Sequence, residues 1–199
     1  MTNNEKKRLI AEKMHEVLEI LGLDLSNPSL SATPERIAKM YVDEIFSGLD
    51  PAQFPKLTFQ EENIPHELVL VKNISFVSFC EHHFVPIVGK AHVGYFPHRK
   101  LLGLSKVPRI IHYFAKRPQV QERLTAQIAE ALALHLDTQD VAVSLQAVHF
   151  CVMARGIEDA TASMETHVLK GCFESNPAVR SEFFSRIPSQ DAPASLVCA

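Results

Sequence analysis

The sequence predicts an α+β protein: a helical arm, then two strands, two helices and two further strands. Three observations carry this reading. Apolar residues recur at helical spacing up to Ile45. From Glu67 the pattern changes to period two in a β-rich composition. Between two such strand pairs, helical spacing returns over residues 105–136.

The elements follow in order. Leu9, Ile10, Met14, Val17, Leu18 and Leu21 give residues 5–21 an apolar helical side, and Gly22 is placed to stop that helix. After a loop containing Pro28, Thr33-Pro34-Glu35 reads as a helix start. Thr33 is the expected N-cap, with Pro34 at the first helical position and Glu35 in the first turn. Ile37, Met40, Tyr41 and Ile45 form the apolar side, Gly48 ends the helix, and Pro51 and Pro55 mark a connector. Residues 1–50 are therefore predicted as an arm and 51–187 as the main domain. Residues 188–199, rich in Pro, Ser and Ala, are predicted as a flexible tail.

In the main domain, residues 67–79 and 84–96 are predicted strands joined by the Cys80-Glu81-His82-His83 turn. Val85, Ile87, Ala91, Val93 and Tyr95 share a face of the second. Residues 105–116 and 119–136 are predicted helices, the latter with Leu124, Ile128, Ala131, Leu132 and His135 on one side. Over residues 140–155, Val141, Val143, Leu145, Ala147, His149, Cys151, Met153 and Arg155 fall on one face of a predicted strand. Residues 162–172 are predicted to pair with it.

Bulk properties narrow the class. A chain of 199 residues suffices for one well-cored domain with a small appendage. Hydrophobic residues at 46% and charged residues at 22% exclude a disordered chain. A net charge of −3 lacks the positive excess that nucleic acids or anionic membranes attract. No apolar run reaches the roughly 18 residues of a membrane span, and Met1–Arg8 is too polar for a signal peptide. A cytoplasmic protein in a reducing compartment is expected. There Cys80, Cys151, Cys172 and Cys198 serve as thiols or metal ligands rather than as a disulfide framework.

Cys80 and His83 lie in a polar turn at a spacing that lets two side chains reach one ion. Cys151 lies far downstream, on the predicted strand face of His149 and about 7 Å along it. A free cysteine is commonly a small core residue. The metal reading therefore rests on the combination of two donors in a polar turn and a third interrupting an aliphatic face. Thiolate with imidazole favours zinc over magnesium or calcium. Three protein ligands leave one position for water, the catalytic arrangement, whereas four make a structural site. His82, His149 and Cys172 are the candidates for a fourth ligand.

A second constellation is cationic. Ser105-Lys106-Val107-Pro108-Arg109 opens a predicted helix with Ser105 as N-cap. Helix N-termini attract anions, yet Lys106 and Arg109 sit where the dipole disfavours cations. That placement points to an anionic ligand, against the plainer alternative of solvated surface charge. Arg155 is a further candidate.

With these residues in view, the chain resembles the zinc-dependent GTP cyclohydrolase I family. The matching stretches are Cys80-Glu81-His82-His83-Phe84, Gly103-Leu104-Ser105-Lys106, Arg117 to Leu124, and His149 to Gly156, with Thr33-Pro34-Glu35-Arg36 in the arm. The resemblance covers roughly residues 33–174, and it rests on several long motifs in one order. It implies the tunnelling fold, a ββααββ unit whose antiparallel sheet carries two helices on one face. It also implies a homodecamer with active sites at subunit interfaces. It implies one Zn2+ per chain on Cys80, His83 and Cys151, and His82 and His149 as acid–base residues. Glu122, assisted by Gln121, would take the guanine edge. Ser105, Lys106, Arg109 and Arg155 would grip the triphosphate, with Arg36 and Lys39 as further contributors. The implied reaction opens the guanine imidazole ring of GTP, releases formate and gives 7,8-dihydroneopterin triphosphate, the first step toward folate- or tetrahydropterin-type cofactors.

Residues weigh against two rival readings, while a related pterin- or deazapurine-handling enzyme of the same fold stands as the closest alternative in kind. A zinc base deaminase needs a Pro-Cys-x-x-Cys signature, and this sequence has no Cys-x-x-Cys. A non-catalytic zinc-stabilised assembly would tolerate loss of His82, His149 or Glu122, and all three are present.

Overall fold

In the structure, a computed structural model that describes residues 1–61, 64 and 66–188, the chain divides into two units, Met1–Gln53 and Phe54–Ala199. The tail predicted for 188–199, and Cys198 with it, lies outside the described residues apart from Pro188.

In the first unit, α1 (Asn3–Ile20) opens with a capping box. The Thr2 hydroxyl accepts from the Glu5 N–H at 3.2 Å, and the Glu5 carboxylate accepts from the Thr2 N–H at 2.9 Å. The helix ends as expected, with Gly22 at φ +80° just past it. Thr33 is not the N-cap of α2 (Thr33–Lys39) but its first residue, behind Ala32. The reason is the turn before it. Leu30 C=O already accepts from the Thr33 N–H (2.9 Å), so helical winding begins one residue early. Past Lys39 the helix widens into a π-helical turn, Met40–Ile45.

The second unit is built on a five-stranded sheet in the order β5 (Pro118–Gln119), β2 (Val69–Cys80), β3 (Pro86–Tyr95), β6 (Val141–His149) and β7 (Met164–Leu169). β2 (Val69–Cys80) and β3 (Pro86–Tyr95) form the predicted hairpin. Next come α3 (Lys106–Ala115), β5 (Pro118–Gln119), α4 (Gln121–Leu136), β6 (Val141–His149), the single turn α5 (Phe150–Met153) and β7 (Met164–Leu169). A separate pair joins β1 (Phe59–Gln60) to β4 (Leu101–Leu102). The sheet is antiparallel except at one edge, where β5 runs parallel to β2 (Phe79↔Pro118, Cys80↔Gln119). This edge strand, which periodicity does not mark, brings the chain leaving α3 alongside Cys80.

One face of the sheet carries α3 and α4. Ile87, Ala91, Val93 and Tyr95 of β3 and Val141, Val143 and Leu145 of β6 are all within 1% of full burial there, with Val107, Ile110, Leu124, Ile128 and Leu132 of the two helices. Two helices on one face do not complete the protein, however. α6 (Cys172–Ser175) and α7 (Pro177–Arg186) set Phe173 and Phe183 against Ala142 on the opposite face. Gly94 makes room for them, since a Cβ there would lie 2.8 Å from the Phe183 ring.

The strand predicted for 140–155 ends at His149. Ile87 is the partner of His149, and the next residue outward on β3, Pro86, has no N–H to offer. On the other side the ladder with β7 stops at Ala147↔Met164. Lacking partners on both edges, the chain closes a helical turn instead, with the Ala154 N–H donating to Phe150 C=O (2.9 Å).

Candidate metal centre and its surroundings

Cys80 closes β2, and its N–H donates to Val85 C=O at 2.9 Å. The Phe84 N–H returns to Cys80 C=O at 2.8 Å, with Phe84 at φ +55°. This tight turn holds His83 outward. Glu81 is tied down by the Gln119 carbonyl, which accepts its N–H (3.0 Å), and by an ion pair with Arg123 on α4. The Arg123 guanidinium bound to Glu81 keeps that carboxyl below its ordinary value.

Cys80, His83 and Cys151 bring their ligand atoms within 4.8 Å of one another, the only such group among the described residues. Cys151 therefore reaches the site, but not from a strand face as the alternation predicts. It projects from the α5 turn. Burial, then the neighbouring Cys80, pushes the Cys151 thiol above its ordinary value. Two sulfurs and an imidazole so close together suit a tetrahedral zinc site with one open position.

The candidate fourth ligands sort themselves by position. Cys172 sits on α6 beyond the Val141 end of β6, and the length of that strand, about 25 Å, separates it from the cluster. Its thiol is pushed up to about 11, first by burial and then by Asp140. His149 is half-buried, and its Nε2 is 2.8 Å from Gln121 Oε1. Burial holds His149 below its ordinary value, partly offset by the nearby Glu122. His82 places Nδ1 3.6 Å from the Cys80 sulfur and Nε2 3.9 Å from Glu81.

Around this centre gather most of the predicted site residues. Glu122 is exposed in the first turn of α4, next to the buried Gln121. Arg155 donates to His83 Nε2 at 2.9 Å. The cationic group does not gather with them. Ser105 stands at the start of α3 with no side-chain cap bond, and its stretch leads out of β4. Leu102, Gly103 and Leu104 line a cleft with Val69 and Tyr95, at the opposite end of the sheet from Cys80. α3 then runs back, and its final carbonyl, at Ala115, accepts from the Ser78 hydroxyl (2.7 Å) two residues from Cys80. Within one chain, Ser105, Lys106 and Arg109 thus lie up to the length of α3, about 15 Å, beyond that point.

Comparison with known proteins agrees with the motifs. The family model for GTP cyclohydrolase I matches residues 10–188. The GTP cyclohydrolase 1 of Aliivibrio salmonicida is 54% identical over 188 residues, 94% of this chain and 87% of that protein. That of Vibrio cholerae is 55% identical over 183 residues, 92% and 84% of the two chains. The Citrobacter koseri protein is 55% identical over 188 residues. Among solved structures, the apo archaeosine synthase QueF-Like aligns at TM-score 0.45 and 18% identity, covering 54% of this chain and 95% of that one.

Proposed function

The chain belongs to the GTP cyclohydrolase I family, and from that premise we propose how its residues divide the reaction. The reaction opens the imidazole ring of the guanine in GTP, expels C8 as formate and gives 7,8-dihydroneopterin triphosphate. The observation that carries the assignment of roles is the convergence of Cys80, His83 and Cys151 beside His149 and Glu122.

Cys80, His83 and Cys151 would hold one Zn2+ per chain. When bound, zinc supplies a Lewis acid that makes water a nucleophile near neutral pH. His82 and His149 handle protons, because C8 of guanine is a poor electrophile until N7 is protonated and imidazole exchanges protons near neutrality. Glu122 accepts from the adjacent N–H donors of the guanine edge, which an acceptor-only carboxylate fits. Arg155 binds phosphate oxygens. An imidazole that ligates a metal cannot also accept from Arg155 at Nε2, so in the loaded site this guanidinium is available to the anion.

Ser105, Lys106 and Arg109 grip the triphosphate at the N-terminus of α3. Their distance from the metal ligands of the same chain supports sites shared between subunits of a homo-oligomer, and we assign that oligomer as a decamer of tunnelling-fold subunits. No described helix is long and apolar enough to cross a membrane, and we place the enzyme in the cytoplasm, with no nucleic-acid partner.

Elemental analysis of the pure protein is expected to find about one zinc per chain. Incubation with GTP is expected to release formate and leave a pterin that fluoresces after oxidation. His149→Ala should retain zinc and lose turnover, whereas Cys151→Ala should lose both. Loss of metal from His149→Ala would make His149 a ligand and overturn the division of roles.

A further inference from the structure

Gln121 opens α4, yet it is only 1% exposed. Both ends of its side-chain amide are engaged. Nε2 lies 3.2 Å from Leu145 C=O, 3.0 Å from Met164 C=O and 3.1 Å from Thr166 Oγ1. Oε1 lies 2.8 Å from His149 Nε2. Turning the amide over would set its oxygen against two carbonyl oxygens, and neither has a proton to give. Chemistry therefore fixes which end is which.

The neighbouring hydroxyls agree. Thr125 Oγ1 is 2.7 Å from Gln121 C=O and 2.7 Å from Thr166 Oγ1. Each hydroxyl has one proton. Thr125 gives its proton to the Gln121 carbonyl, Thr166 gives its proton to Thr125, and the Thr166 oxygen is left to accept from Gln121 Nε2. The ring of bonds is consistent in one direction only.

We propose that Gln121 is a positioning residue that fixes the His149 ring as the Nε2–H tautomer, leaving Nδ1 as the ring nitrogen that carries the lone pair. An amide oxygen only accepts, so the bond between Gln121 and His149 requires a proton on Nε2. The His149 ring keeps its Nε2 proton, donated to Gln121 Oε1, and its orientation is set by that bond. The side-chain amide of Gln121 is then fully used and has no donor left for guanine. This deepens the functional reading above and rests on it for the consequence in catalysis.

The test uses the zinc-loaded, full-length enzyme. Gln121→Met keeps the shape and removes both ends of the amide. Its kcat should fall about 100-fold, the scale of lost acid–base catalysis, with KM for GTP and zinc content unchanged. A rise in KM with kcat preserved would make Gln121 a substrate contact and overturn the proposal, as would unchanged kinetics. Should this variant not fold, solid-state 15N spectra of the histidine-labelled wild type decide, with His149→Asn identifying the signal. A protonated Nε2 and bare Nδ1 at His149 are expected, and a protonated Nδ1 would overturn the assignment. Absence of formate from the wild type would count against the function itself, while the spectrum would still decide the tautomer.

Discussion

Glu122 shows how one residue satisfies two demands. A carboxylate in the first turn of α4 suits the helix dipole whether or not it binds anything. Its place beside His149 suits the proposed chemical task as well. In the proposed role, Glu122→Gln sets an amide against the guanine donors. KM for GTP should rise about tenfold or more, the scale of a lost charged hydrogen bond, with little change in Tm, as steady-state kinetics and thermal melts would show. At this scale much of the site is legible in sequence, because the Cys80 and His83 spacing is local. Gln121 is not. Its partners Leu145, Met164, Thr166 and His149 come from distant segments, and only the sheet brings them to it. The signal available in sequence was a glutamine entering a helix whose buried side it must share.

At the scale of elements, β3 carries the tightest constraints. Gly89 pairs with Ala147 on β6. A Cβ at Gly89 would lie 2.6 Å from Ala147 Cβ and 2.8 Å from its Cα, against backbone that cannot yield. Gly89→Ala should therefore cost about 1–3 kcal/mol or more, measured by chemical denaturation. His92, three residues on, is 1% exposed, and its Nδ1 accepts from the Asn73 N–H at 3.3 Å. Asn73 sits at φ +59° in the bulge of β2 between Val71 and Ile74, so this histidine serves a backbone donor that the irregular ladder leaves over. Burial, then Lys90 and Lys72, holds His92 below its ordinary value. The unfolded chain takes up this proton near pH ~6.5, while the native protein resists it. Stability is thus full above that value and is lost as pH falls below it. Tm should drop more steeply from about pH 7.5 to about pH 5.5 in the wild type than in His92→Gln. β6 teaches a related lesson. Its alternation continues in sequence to Arg155, but a strand lasts only as long as its neighbours, and Pro86 and the end of β7 stop it at His149.

For the molecule as a whole, the separation between the metal ligands and the α3 N-terminus is the informative feature. If copies share sites, two inactive variants should complement. Cys151→Ala and Arg109→Ala, each inactive alone, should regain GTP turnover when co-assembled, as a formate assay after mixed refolding would register. Equal inactivity of the mixture would place both groups in one chain's site. By itself the sequence determined the α+β class, the helix and strand periods, the candidate donor set Cys80, His83 and Cys151, and the family, because these depend on local spacing and side-chain chemistry. Only the tertiary structure decided the rest. It brought Cys151 to the centre from a helical turn, added β5 as a parallel edge, and set Phe173 and Phe183 over the second face. It locked His149 to Gln121 and left Ser105, Lys106 and Arg109 at a distance. The physical reason is the same in each case: where a strand ends, where an amide finds its partners and which face is covered depend on groups far away in sequence, and periodicity carries no record of them.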